Sequence, residues 1–226
     1  MELLQAAAQE LGFDYVALLH HRSLERPAAG FIRLDTYPEG WEDELRSRSL
    51  IGHDPVHRAS ERTHVGFSWR ELAELVPIGP RARELLDEAR RFGIGEGFTV
   101  PANIPGEPGG SCSFAVKTGG KIPVGRLLCA EQVGAHAFRA ARRLHGYARI
   151  IRSRPHLSRR ERQCVRLVAA GKSDWEIARI LGISIETVHQ YVKRARSAYD
   201  VVSRAQLVAC GLRDAVISFG EAVPER

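Results

Sequence analysis

SDWEIARILGISIETVHQYVKRARSAY, residues 173–199, is the stretch on which the reading of this chain turns. Ser173-x-x-Glu176 is a capping box, in which a Ser hydroxyl and an acidic side chain three residues on satisfy the orphan N–H groups of a helix start reciprocally. Gly182 suits the left-handed residue that ends such a helix and Ser184 can cap the next, so Leu181-Gly182-Ile183-Ser184 predicts a tight turn between two helices. In the second helix Val188, Val192, Ala195 and Tyr199 recur on one face and form the expected buried stripe. The other side carries Glu186, His189, Gln190, Lys193, Arg194 and Ser197, which offer donors to phosphates and base edges. On an isolated helix such a face is an ordinary solvated one; the preceding turn and the local charge favour a helix that enters DNA.

The pattern extends on both sides. Ser158-x-x-Glu161 and Ser203-x-x-Gln206 are further capping boxes, each opening an apolar-periodic run, and three of them within 49 residues predict a helical module. Charge points the same way. Residues 1–151 hold 19 Lys+Arg and 19 Asp+Glu, whereas residues 152–226 hold 14 and 8, so the whole net charge of +6 sits in the last third. A neutral domain joined to a polyanion-binding one gives this asymmetry.

Arg152-Ser-Arg-Pro-His156 combines charge, a helix-disfavouring proline and a change of pattern, and predicts a linker at 152–156. Upstream, Ala137, Ala141, Leu144, Ala148 and Ile151 predict an amphipathic helix over 134–151. Before it, strand-like runs at Asp14–Leu19, Gly30–Asp35, Phe98–Ala102, Ser113–Lys117 and Arg126–Ala130 alternate with helical patterns at 2–11, 39–50 and 80–92, so a sheet covered by helices is expected. Turn chemistry separates the runs, as in Asn103–Gly110 and Gly119-Gly120. Cys112, Cys129, Cys164 and Cys210 form neither a CxxC pair nor a zinc-spaced cluster and read as reduced, mostly buried thiols. No run approaches the ~18 apolar residues of a membrane span and the N-terminus lacks signal-peptide character, so a cytoplasmic protein is expected.

The C-terminal segment resembles the DNA-binding domain of the LuxR family of transcription regulators. The likeness rests on Leu157-Ser158-x-x-Glu161, Gly171-Lys172-Ser173, Ile177-Ala178, Leu181-Gly182-Ile183-Ser184, Thr187-Val188 and Ser203-Arg204-Ala205-Gln206. It implies a four-helix, helix-turn-helix domain over 157–226 and adds Lys172, Ser173, Ser184, Thr187 and Arg204 to the DNA-facing set. Tyr191 stands where the family usually has His and Ala198 where it usually has Lys; the second change removes a backbone contact.

Residues 37–113 resemble the ligand-binding domain of the quorum-sensing members of that family, through Tyr37-Pro38-x-x-Trp41, Asp54-Pro55-Val56, Trp69, Gly97-Phe98-Thr99-Val100-Pro101 and Ser113. The resemblance implies an α+β chain, whose residues 1–151 form an autoinducer-binding and dimerisation domain built as an α/β/α sandwich around an antiparallel sheet. An N-acyl-homoserine lactone has one amide N–H to satisfy, two carbonyl oxygens that want donors and a tail that wants apolar walls. By resemblance Trp41 would donate to the lactone carbonyl, Asp54 would accept from the amide N–H, Tyr37 would donate to the amide carbonyl, Ser113 would add a polar contact and Trp69 would wall the lactone end. Leu45, Val56, Leu85, Leu86, Ala89, Phe92 and Ile94 are expected in the pocket wall. An Asp before Pro is commonly a turn former and a Trp at helical spacing commonly core, so it is the joint spacing that carries the ligand reading. Leu45 stands where the family usually has Tyr, which predicts a larger, drier pocket open to branched, aryl or non-lactone signals. His53 and His57, flanking Asp54-Pro55-Val56, read as surface residues able to add polarity.

The partners implied are a dyad-symmetric double-stranded operator, a small-molecule autoinducer, a second copy of the chain and RNA polymerase, with no cofactor, metal or membrane. An enzyme is disfavoured: Gly93-Ile-Gly95-Glu-Gly97 is neither a Walker loop nor a dinucleotide fingerprint, turn-forming glycine explains it, and no HExxH or GxSxG pattern occurs. A nucleoid-binding protein would be basic but would not require the Tyr/Trp/Asp/Trp constellation. An orphan regulator that senses a non-lactone signal or none is the remaining alternative.

Overall fold

A computed structural model describes residues 1–21, 31–104, 108–146 and 155–223. The chain packs as two compact units, Met1–Ala148 and Arg149–Arg226. Residues 152–154 of the expected linker, Gly30, the centre of the Asn103–Gly110 turn, and Ala148 and Ile151 of the expected helix lie outside the described residues.

The first unit is an antiparallel sheet of five strands, β1 (Tyr15–His20), β2 (Arg33–Asp35), β3 (Phe67–Ser68), β4 (Ile94–Pro101) and β5 (Gly110–Lys117), in the order β2-β1-β5-β4-β3. Its helices are α1 (Glu2–Glu10), α2 (Trp41–Ser47), α3 (Pro55–Ser60), α4 (Leu72–Leu75), α5 (Pro80–Arg91) and α6 (Leu127–Leu144). Because side chains alternate along a strand, Val16 and Leu18 of β1 pack with Cys112, Phe114 and Val116 of β5 against Ala8 of α1 and Ala130, Phe138 and Ala141 of α6. Tyr15 and Ala115 point to the other face, where Trp41, Leu85, Ala89 and Ile94 form a separate cluster. Helices thus cover both faces of an antiparallel sheet, as expected from the alternating patterns.

Residues 126–130 depart from expectation: the predicted strand is the start of α6. A short apolar run cannot distinguish strand from buried helix, and the spacing that decides is Ala130, Gly134, Phe138 and Ala141, which face the sheet. Gly134 is needed there because a Cβ would lie 3.0 Å from Val100 and 3.2 Å from Cys112. Leu144, expected on the buried stripe, is 87% exposed. The sequence reading also passed over α3, whose start is marked by Asp54 at N-cap and Pro55 at the first helical position. Glycines 95 and 97 are not turn residues as expected; they lie in β4, where a Cβ on Gly95 would press on the Lys117 carbonyl and one on Gly97 on the Trp69 indole. Among the cysteines Cys112 and Cys164 are buried, while Cys129 is exposed and Cys210 half-buried.

The second unit holds α7 (Arg159–Ala169), α8 (Asp174–Leu181), α9 (Ile185–Ala198), α10 (Arg204–Arg213) and the single turn α11 (Phe219–Ala222). All three expected capping boxes are closed in both directions, and a fourth, Ser218 with Glu221, opens α11. Gly182 adopts φ +64°, and Ser184 Oγ accepts from the Thr187 N–H at 3.0 Å. Val188, Val192 and Ala195 are buried among Cys164, Val165, Ile177 and Leu207, with Tyr199 packed at the margin. No helix of the described residues is long and apolar enough to cross a membrane.

Because the Ser184 hydroxyl satisfies an otherwise orphan N–H, Ser184→Ala is expected to lower the stability of this unit by about 1 kcal/mol, measured by urea unfolding of the full chain. Ser184→Asp, which restores the cap acceptor, should return it to the wild-type value.

Candidate functional site: a cavity under three helices and an exposed helix face

Facing away from α1 and α6, the sheet borders a cavity of about 290 Å³. Helices α2, α3 and α5 contribute Trp41, Leu45, Val56, Leu85, Leu86 and Ala89; the strands contribute Leu19, Ile94 and Ser113. Tyr37, Asp54 and Trp69, from the connections, complete the expected set. Phe92 alone among the candidate ligand residues does not line the cavity; its ring packs behind Trp41, with centroids 5.4 Å apart.

Trp41 is held by α2, which Gly40 starts in the left-handed conformation at φ +80°. Among the described residues neither its indole N–H nor the Tyr37 hydroxyl has a hydrogen-bond partner. Burial, reinforced by the carboxylates of Asp54 and Asp35, pushes the Tyr37 phenol far above its ordinary value, so it remains a donor. Asp54 has two separate engagements. Its Oδ1 accepts from the Val56 N–H at 2.8 Å as the cap of α3, and its Oδ2 lies 3.5 Å from His57 Nε2. The second oxygen retains acceptor capacity toward the cavity. Trp69 and Ser113 are joined through Thr99: Trp69 Nε1–H donates to Thr99 Oγ1 at 2.8 Å, and Thr99 Oγ1 lies 2.8 Å from Ser113 Oγ.

Several lining residues went unread in the sequence, among them Leu19, His20, His21, Phe31, Ile32, Arg33, Asp35, Glu42 and Ile51. Alternation from Tyr15 along β1 was the signal that could have found Leu19 and His21. His57, expected at the surface, lines the cavity and stacks on His21 with centroids 4.2 Å apart and planes at 17°, whereas His53 is exposed. His21 Nε2 is 2.8 Å from Ser111 Oγ. Burial, then the neighbouring His57 and His20, lowers the His21 pKa to about 2, so this ring stays neutral. The pocket thus offers apolar walls, donors at Trp41 and Tyr37, an acceptor at Asp54 and a stacked pair of imidazoles.

On α9 Glu186, His189, Gln190, Lys193, Arg194 and Ser197 are all exposed. Gln190 donates to Glu186 at 2.9 Å. His189 lies 3.8 Å from Asp174, while Lys193 and Arg194 have no ion-pair partner among the described residues. Arg204 donates to Asp174 Oδ1 at 2.5 Å and to the Lys172 carbonyl at 2.9 Å, tying the start of α10 to the start of α8. Lys172 lies 3.6 Å from Glu176, and Ser173, Ser184 and Thr187 sit at the helix starts.

Because the folded state keeps His21 neutral while an unfolded one titrates near 6.5, the unfolded chain binds the extra proton between about pH 6.5 and 2. Stability from this group is therefore intact above pH 6.5 and falls with acidification by up to about 1.4 kcal/mol per pH unit. His21→Gln should flatten that acid slope by about one proton in urea unfolding measured from pH 7 to 5; an unchanged slope would show that His21 is not kept neutral.

Comparison with known proteins matches both units. Residues 1–144 match the family described as autoinducer binding domain, and residues 155–210 that described as bacterial regulatory proteins, luxR family. The transcriptional activator protein RaiR of Rhizobium etli is 30% identical, covering 76% of this chain and 71% of RaiR. A putative HTH-type transcriptional regulator, y4qH of Sinorhizobium fredii, is 29% identical over 90% of this chain, which spans only 63% of that relative. The crystal structure of Escherichia coli SdiA shares the fold at a TM-score of 0.65 and 23% identity, covering 96% of this chain and 90% of that one. With a sheet-and-cavity unit that matches the autoinducer-binding model and a capped helix-turn-helix unit that matches the luxR model, the chain belongs to the LuxR family of autoinducer-binding transcription regulators.

Proposed function

We propose that this regulator binds an N-acyl-homoserine lactone in the cavity beneath α2, α3 and α5 and, as a homodimer, binds a dyad-symmetric DNA operator. The observation that carries the ligand reading is the pairing of donors at Trp41 and Tyr37 with the carboxylate of Asp54, whose Oδ2 can accept a further bond beside His57, in a cavity whose walls are largely apolar. An amide N–H flanked by two carbonyls satisfies all three groups, whereas a hydrocarbon satisfies none. Trp41 donates to the lactone carbonyl, Tyr37 and Ser113 serve the amide carbonyl, and Asp54 accepts from the amide N–H. Leu45, Val56, Leu85, Leu86, Ala89 and Ile94 wall the tail, and Leu45 sets its permitted width.

Lys193 and Arg194, with Gln190 and His189, form the DNA-reading face of α9. Two copies of that helix entering successive major grooves place half-sites about one turn of DNA apart. Residues 1–151 supply ligand binding and self-association, and residues 157–226 supply DNA binding. RNA polymerase is the downstream partner. Arg204 acts as a clamp on the start of α8, and its substitution acts through stability as well as contact.

Solvent extraction of the purified protein followed by mass spectrometry identifies the signal directly, and titration tests the site. Asp54→Asn keeps the cap acceptor for Val56 but removes the charge, so it should weaken binding of an acyl-homoserine lactone on the order of tenfold without unfolding α3. Trp41→Phe should weaken it similarly; wild-type affinity in both variants would refute the assigned head-group site. For DNA, Lys193→Ala should leave ligand binding unchanged and reduce the salt dependence of operator affinity by about one unit per half-site. Footprinting that shows a monomer on a single half-site would contradict the dimer.

A further inference from the structure

Thr99 is assigned no part in binding by anything above, yet it connects two residues of the cavity. Thr99 of β4 and Ser113 of β5 are directly opposed across the sheet. Two residues before Thr99, Gly97 lacks the Cβ that would collide with the Trp69 indole, so the ring lies on β4 with its N–H within reach of the Thr99 hydroxyl.

Donor counting fixes the direction of the chain of hydrogen bonds. An indole N–H only donates, so the Thr99 oxygen is the acceptor in its 2.8 Å bond with Trp69. The Thr99 proton then needs an acceptor of its own. Thr99 is 0% exposed, and among the described residues Ser113 Oγ, at 2.8 Å, is the group that can take it. The reverse orientation would leave a fully buried O–H without an acceptor. With its oxygen occupied by the Thr99 proton, Ser113 has its own proton free, and Ser113 lines the cavity.

We infer that Thr99 is a positioning residue: it receives from Trp69, donates to Ser113, and so presents the Ser113 hydroxyl proton to the cavity, where the signal must offer an acceptor oxygen. This rests on the reading of the cavity as the signal site and narrows the ligand. A carbonyl or ether oxygen fits against the Ser113 proton, whereas a group that can only donate leaves that proton without an acceptor.

The test is calorimetric titration of the full chain with N-octanoyl-homoserine lactone, using wild type, T99V, T99S, S113A and T99V/S113A. T99V, which keeps the volume and loses the hydroxyl, should weaken binding about three- to tenfold, and T99S should stay within about twofold of wild type. The double variant should bind no worse than S113A alone, because both changes cut one relay. A purely packing role reverses the order, with T99V tolerated and T99S impaired; that order, or losses that multiply in the double variant, would overturn the inference. A ligand-free arm follows the indole N–H resonances of the 3 tryptophans. The Trp69 signal should be shifted downfield and protected from water in wild type and T99S, and neither in T99V. If wild type does not bind the lactone but Trp69 behaves in this way, the lactone reading fails and the relay stands; if T99V leaves the Trp69 signal unchanged, the relay fails whatever the titration gives.

Discussion

Strand β5 is buried along seven of its eight residues, and this double burial sets most of what surrounds it. Its two faces are filled by different means. Toward α1 and α6 it sends Cys112, Phe114 and Val116, which meet Phe13, Phe98 and Phe138 in a closed apolar core. Toward α2 and α3 it sends Ser111, Ser113 and Ala115, paired across the sheet with Leu19, Ala17 and Tyr15 on β1. The neighbouring positions of β4 on that side are Gly97 and Thr99. A row of small side chains cannot fill the distance of ~10 Å that separates packed layers, and the cavity follows from that deficit. The hydroxyls of the row, being withheld from water, must find partners in one another or in whatever occupies the space.

Legibility in the sequence followed the range of the interaction. The capping boxes of the second unit, Gly182 and the stripe through Val188, Val192 and Ala195 are local chemistry, written within a few residues, and could be read as such. Trp41, Asp54 and Trp69 could be singled out because their joint spacing resembles a known family, although nothing in their periodicity brings them together. Thr99 and Ser111 could not be singled out, and alternation along β1 could place His21 on the cavity side without revealing its partner. Their roles depend on pairings 30 and 90 residues apart, and a serine in a strand carries no mark of what it will face. The failure at 126–130 has a different origin: five residues of mixed apolar character fit both periods, and only the longer run to Ala141 decides.

Asp54 and Arg204 illustrate why a side chain's assigned role and its structural role need separating. Asp54 caps α3 with one oxygen and faces His57 with the other, and both residues line the cavity, so helix and cavity wall are coupled through a single carboxylate. Arg204, a DNA-facing candidate by resemblance, also donates to Asp174 and the Lys172 carbonyl, so it braces a helix start as well. Asp174 also faces His189 on α9, so the side chain that braces one helix start sits beside the exposed polar face of α9.

The sheet ends in strands of three and two residues, β2 and β3, and β2 carries the charged Arg33 and Asp35. A long, flat outer strand is a template on which another chain can add itself, and short charged borders deny it that length. For a regulator whose sheet has small side chains over one face, loosening of the helices above would bare backbone as well as pocket. Curtailed borders mean that such loosening would expose little edge on which another chain could pair.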